Sequence, residues 1–347
     1  MMGERRGNAT NRSWLLIGLA VCMVLFVSIA SLAVGAASIP LANIGAWISH
    51  STEGVTATER TILWELRLPR ILLAVITGVS LATAGVGFQG LFRNVLADPY
   101  VIGASSGAAL GVSIAVVTGL QVTYFGLGAT SLMAMAGSIG IVMLVFALGA
   151  ISRQTSTITL LLAGVAISSM TNALVSLLMF LNDQKAIVIL SWLMGSLAGS
   201  DWQTVLVASL SSCLGVGILW SRSRQLDAFL LGDAASQSLG LDPLRFRCWV
   251  ITGASVATAA AVSSAGIIGF VGLIAPQIAR LMVGPRHALL LPMSACAGAI
   301  TMLVADAVAR TIVAPTELPI GIVTALLGCP FFVALLLSRS MRGSVAT

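Results

Sequence analysis

Leu66 to Phe88 reads LRLPRILLAVITGVSLATAGVGF, and the meaning of this stretch decides the fold. From Ile71 to Phe88 it contains no acidic or basic side chain. An apolar run of about 20 residues, wound as a helix, matches the ~30 Å hydrocarbon core of a bilayer. It lacks the alternating polarity of a membrane β-strand. Arg67 and Arg70 stand at the mouth of the run, on either side of Pro69.

The rest of the chain has the same character. Of 347 residues, 58% are hydrophobic and 9% charged, whereas soluble domains carry roughly 25% charged residues. With a mean hydropathy of +1.03, no soluble fold hides this much apolar surface, so the solvent is lipid. The expected fold class is all-α: a polytopic bundle of about ten transmembrane helices in one domain covering residues 1–347. The spans fall at about 14–37, 68–88, 101–120, 129–150, 158–180, 202–220, 246–265, 270–284, 289–310 and 320–338. The first apolar run, behind Arg5, Arg6 and Arg12, exceeds the usual 7–15-residue core of a signal peptide and reads as a retained helix. Cys22, Cys213, Cys248, Cys296 and Cys329 are widely spaced in or beside apolar segments and read as small buried hydrophobes.

Alternating sidedness over ten spans puts 13 of the 18 cations on the side of the N-terminus. By the positive-inside rule both termini are cytoplasmic. The net charge of +6 comes from these loop clusters, which speaks for topology and against nucleic acid. Arg60, Arg67, Arg70, Lys185 and Arg310 remain outside. Cations kept on that face against the trend suggest that something acidic docks there. The outer segment from about Ser38 to Glu65 is polar, with little to specify structure. The inner segment 221–247 is longer than an ordinary 2–8-residue helix connector. Its apolar residues make short helical turns broken by Gly232, Gly240 and Pro243, and it reads as a docking surface.

Chemical motifs are weak. Gly85 to Gly90 matches G-x-G-x-x-G, but it ends a membrane span and does not follow a strand. Gly103 to Gly107 matches G-x-S-x-G around Ser105, yet His50 and His287 both lie outside the spans, so the serine lacks a base. Lys185 is the single lysine, and a phosphate loop needs Gly-Lys-Ser/Thr; any ATPase is therefore a separate subunit. Gly103, Gly107 and Gly111 fall on one helix face, the small-xxx-small device of membrane packing. Asp306 and Arg310 stand one turn apart and suit an i,i+4 pair. The middles of the spans otherwise lack ionisable residues, unlike most ion-coupled carriers. A secondary transporter acting alone remains the alternative reading, and an intramembrane enzyme using Ser105 a more distant one.

Five stretches occur in a telling order: Leu66 to Arg70, Gln89 to Pro99, Leu231 to Leu241, Gly266 to Pro276 and Glu317 to Gly321. From about residue 14 to 340 the chain resembles the FecCD-type permease subunits of bacterial type II ABC importers for iron–siderophores, haem and vitamin B12. The resemblance implies a non-enzymatic transport subunit of the cytoplasmic (inner) membrane, translocating a bulky chelate along the interface of a homodimer. Two ATP-binding cassette subunits would sit below and carry ATP–Mg, and a substrate-binding protein would sit above. No cofactor or metal is implied on this chain. The family's outer docking arginines match Arg67, Arg70 and Arg310. Its ATPase-docking helices match Leu226, Phe229, Leu230, Gly232, Asp233, Ala234, Ser238, Leu239, Gly240 and Leu241. Its inner gate matches Ser156 and Thr157.

Overall fold

A computed structural model describes residues 2–35, 39–49, 55–124, 127–151 and 157–344. Fourteen helices occur among them, with one short ladder pairing Thr123–Tyr124 with Leu127–Gly128. In chain order the helices are α1 (Met2–Ala33), α2 (Leu41–Ile48), α3 (Ala57–Phe92), α4 (Ala104–Thr118) and α5 (Ala129–Ile151). Then come α6 (Thr157–Leu181), α7 (Asp183–Leu193), α8 (Trp202–Ser221), α9 (Ser223–Phe229) and α10 (Asp233–Ser238). The last four are α11 (Pro243–Ala265), α12 (Val271–Val283), α13 (His287–Thr311) and α14 (Ile320–Ser344). Seven are long and apolar enough to cross a membrane: α1, α3, α5, α6, α8, α11 and α13. Three shorter apolar helices, in α4, α12 and α14, occupy the other segments read as spans.

Helix α3 is the axis of the bundle, and its segment Ala74 to Phe92 is nearly all buried. It can be enclosed because its glycines let neighbouring backbones close in. A methyl group on Gly78 would collide with the Gly298 carbonyl of α13, and one on Gly85 with the Gly272 carbonyl of α12. With no hydrophobic drive between helices in lipid, such close approach supplies the van der Waals attraction that holds them. Ser80 Oγ donates to Ser212 Oγ at 2.7 Å, tying α3 to α8 inside the bundle.

The segment read as beginning at Leu68 starts eleven residues earlier. Thr56 and Glu59 form a capping box: Thr56 Oγ1 accepts from the Glu59 backbone N–H at 3.2 Å, and Glu59 Oε2 accepts from the Thr56 N–H at 2.9 Å. Pro69 has no N–H to return to Glu65, which would ordinarily mark a helix start. Here the helix passes the proline through a π turn over Ile62–Arg67, which widens the ladder by one residue. That turn places Leu63 and Arg67 both inward. The described part of the outer loop likewise holds more structure than its composition suggests. It contains α2, and Trp47, Trp64 and Trp202 meet with ring centroids 6.3 and 5.0 Å apart, as suits a membrane–water boundary.

Helix α7 was also not apparent in the sequence. Lys185 sits in its first turn and donates to the Val117 carbonyl at 2.8 Å, closing the end of α4. The five cysteines are free, but four are exposed on the outside of the bundle and Cys296 is half-buried, contrary to the expected interior packing. The linkers 93–103 and 266–270 run at the depth of the bundle interior, where Gly272 meets Pro99 and the Leu81 carbonyl. Non-helical backbone at that depth needs protein partners. Tyr100 provides them, its hydroxyl donating to Ile268 O at 3.1 Å and accepting from Ile268 N at 3.3 Å. Gln277 Nε2 donates to Val95 O at 2.8 Å.

Candidate functional site

The arginines at the outer end lie in one network whose acids the sequence reading did not fully connect. Asp306 Oδ1 accepts from Arg70 Nε at 2.9 Å, and its Oδ2 pairs with Arg310 Nε at 3.0 Å, the expected one-turn pair. Arg70 Nη1 reaches Glu317 at 2.9 Å. Arg67 donates to the Leu32 carbonyl and Arg310 to the Val34 carbonyl at 2.7 Å, so both close the open end of α1. Arg67 and Arg310 are only 5% and 6% exposed, whereas Glu317 is 38% exposed on its side chain. The three arginines are therefore brought together, but as written in this chain they face inward. Only the Arg70–Glu317 edge meets solvent.

Asp306 carries the compensation for two buried cations, and removing one partner of a buried pair costs about 3–5 kcal/mol. Asp306→Asn is expected to lower the thermal midpoint of the detergent-solubilised protein far more than Glu317→Gln does. Equal small shifts in a thermal-unfolding series would contradict the assigned burial.

At the inner end, α9 and α10 divide the residues of the docking loop into two sets. Leu226 and Phe229 are fully buried inside the chain, so the expectation that they form part of a docking surface is corrected: they anchor the loop. Leu230, Ala234, Ser238, Leu239 and Gly240 are exposed, Leu241 is half-buried, and Leu231 and Gln237 join the outer set. Leu231 at 69% and Leu239 at 62% are the most exposed large apolar residues of the loop. Gly232 and Gly240 have φ of 108° and 81°, and this left-handed backbone ends each short helix where a side chain would be strained. Asp242 then caps α11, accepting from the Leu244 N–H at 2.9 Å.

Two of the loop's three acids turn toward the spans. Asp227 Oδ1 accepts from the His287 backbone N–H at 2.9 Å and meets His287 Nδ1 at 2.6 Å, at the head of α13. Burial pushes the Asp227 carboxyl up, but the His287 hydrogen bonds and the charges of His287 and Arg286 outweigh it, leaving the pKa below the ordinary value. Asp233 pairs with Arg93 and, at 2.6 Å, with Arg247. Arg93 Nε also donates to the Phe229 carbonyl at 3.0 Å, and its guanidinium lies 4.3 Å from the Phe229 ring centroid. Arg93, Arg247 and His287 were absent from the sequence-based site. Their only sequence signal is position at the inner ends of spans.

Gly107 and Gly111 do pack as expected: a methyl group on either would strike the Gly137 or Met133 carbonyl of α5. Gly103 differs, since it precedes α4 in left-handed backbone (φ 90°) with Ile141 and Ser168 against it. Of the gate pair, Ser156 lies outside the described residues. Thr157 opens α6, and its side chain is likewise outside them.

A helical membrane bundle with an inner loop that exposes leucines matches a known family model, the FecCD transport family, over residues 22–338. The chain belongs to the FecCD transport family. The cobalamin import permease BtuC of Halobacterium salinarum is 42% identical over 289 residues, covering 83% of this chain and 77% of that protein. The hemin transport permease HmuU of Yersinia pestis is 36% identical, covering 95% and 97%. A solved metal-chelate type ABC transporter, in an inward-facing conformation, superposes with a TM-score of 0.82 at 33% identity, covering 93% of this chain and 99% of that one. This chain is a multi-pass membrane permease subunit of an ABC importer, a class that works with ATPase subunits.

Proposed function

We propose that this permease carries a bulky iron chelate, haem or corrinoid into the cytoplasm as a homodimer, with both termini cytoplasmic. Support for the cargo class is the near end-to-end similarity to cobalamin and hemin permeases. Support for dimerisation is the thin cover on α6 and α14: Leu162 is 66%, Phe180 78% and Leu326 70% exposed. Two copies would enclose a pathway between such faces, and the scarcity of charge there suits a cargo that must not stick. ATP–Mg belongs to the separate cassette subunits, which dock on Leu230, Leu231, Leu239 and their neighbours. That exposed leucine set, held on a loop stitched to the spans, is the observation that carries this reading.

A substrate-binding protein docks on the outer face. Its reading against Arg67, Arg70 and Arg310 narrows to Arg70, because a partner carboxylate reaches that cation by exchanging with Glu317. Arg67 and Arg310 then set the position of Arg70 through Asp306 and the end of α1. Electrostatic exchange of this kind governs encounter and register more than final affinity.

The test is reconstitution of this chain with its cassette subunits in proteoliposomes, with cobalamin and hemin as probe cargoes and the capture protein outside. Uptake is expected only with ATP and all components present. Uptake driven by an ion gradient with this chain alone would overturn the reading in favour of a secondary transporter.

A further inference from the structure

We infer that Asp233 is a coupling latch: one carboxylate that locks the cytoplasmic docking loop to the inner ends of two different spans. The inference rests on the reading of that loop as the ATPase seat. Asp233 opens α10, and its two oxygens are divided between two cations: Oδ1 meets Arg93, which ends α3, and Oδ2 meets Arg247 in the first turns of α11 at 2.6 Å. These spans are no arbitrary pair. Helix α3 is the buried axis of the bundle, and α11 packs along it.

The surroundings make the latch stiff. Arg247 is 6% exposed and its Nε has no hydrogen-bond partner, so its charge leans on Asp233. Arg93 stands in left-handed backbone (φ 48°), a conformation disfavoured for a side-chain-bearing residue, and its guanidinium is fixed on three sides. It bonds Asp233, donates to the Phe229 carbonyl and covers the Phe229 ring. That ring in turn packs on Phe246 of α11 with centroids 4.7 Å apart. Sliding α10 against either span strips a partner from a cation, and for Arg247 that cation is buried. Breaking such a pair is costly. The loop and the two span ends therefore move as one body when the ATPase pushes on Leu230, Leu231 and Leu239. Asp233 is a positioning residue: its oxygens are turned to the spans, while the leucines around it face outward.

Asp227 makes an independent tie to α13, which supplies an internal control. Hydrogen–deuterium exchange is measured on the permease–ATPase complex with and without Mg²⁺–AMP-PNP, a non-hydrolysable ATP analogue. In the wild type, nucleotide is expected to alter exchange in the loop (223–241), at the end of α3 and the start of α11, and at the head of α13. In Asp233→Asn the responses of both α3 and α11 are expected to fall at least threefold, and in Arg93→Gln, which leaves the Arg247 pair in place, that of α3 alone. The loop and α13 responses stay, and the ATPase remains bound. Asp233→Glu, which keeps the charge, retains the wild-type response. Full-sized responses of α3 and α11 in Asp233→Asn, or of α3 in Arg93→Gln, would overturn the latch. So would loss of the ATPase from Asp233→Asn, which would make the carboxylate a direct contact. A wild-type loop indifferent to nucleotide would instead overturn the ATPase-seat reading itself.

Discussion

Gly111→Leu is expected to abolish recovery of monodisperse protein, while Gly140→Leu, on the helix that faces it, is expected to leave yield and thermal midpoint near the wild type. The contrast follows from where each glycine points. Any side-chain carbon on Gly111 collides with the Met133 backbone carbonyl of α5, and Gly107 meets Gly137 in the same way one turn earlier. A backbone cannot rotate aside as a side chain does, so α4 and α5 must separate along the contact. Overpacking a core typically costs 1–3 kcal/mol, and a clash with backbone belongs at or above the top of that range. Separation also removes the close contact that holds helices together in lipid. Gly140 has open space within 4 Å of a built side-chain carbon, so leucine there meets lipid or a loose neighbour. Size-exclusion profiles and thermal unfolding in detergent check the pair. Well-folded Gly111→Leu protein at normal yield would refute the contact geometry.

Leu231→Asp combined with Leu239→Asp is expected to release the ATPase while leaving the permease folded. Both leucines are exposed on the loop, so aspartate costs the isolated chain little. In a partner cleft the same substitutions remove apolar burial and force two carboxylates out of water. Central residues of an interface contribute about 2 kcal/mol or more each on truncation, and a loss of about 4 kcal/mol weakens association roughly a thousandfold. Leu226→Asp or Phe229→Asp must behave differently, since these two are buried within the chain. They should destabilise the permease itself, and any loss of ATPase would follow from that. Co-purification with thermal unfolding separates the outcomes, and an undiminished ATPase yield from the exposed double variant would refute the assignment.

Much of this was legible in the sequence, because a bilayer imposes strict one-dimensional rules. Uncharged runs of helix length and glycines at four-residue spacing mark spans and contact faces without any tertiary information. Asp306 and Arg310 could be paired from their spacing since an α-helix brings i and i+4 together wherever it lies. The motifs from Leu66–Arg70 to Glu317–Gly321 likewise sufficed to place the chain in its family.

Direction and long-range partnership needed the folded chain. Pro69 reads as a helix start, and only the π turn before it shows how the helix runs through and swings Arg67 inward. Neighbouring leucines and phenylalanine in the docking loop are chemically alike, yet Leu226 and Phe229 face the bundle while Leu231 and Leu239 face water. That division depends on the spans above them. Asp233 meets Arg93 across 140 residues, a separation that no periodicity encodes. Sequence alone decided what is apolar, roughly where the long spans lie and which end is basic, since these are properties of local composition against lipid. Tertiary structure alone decided which charges neutralise one another, because a cation's partner is set by where separate helices end in space.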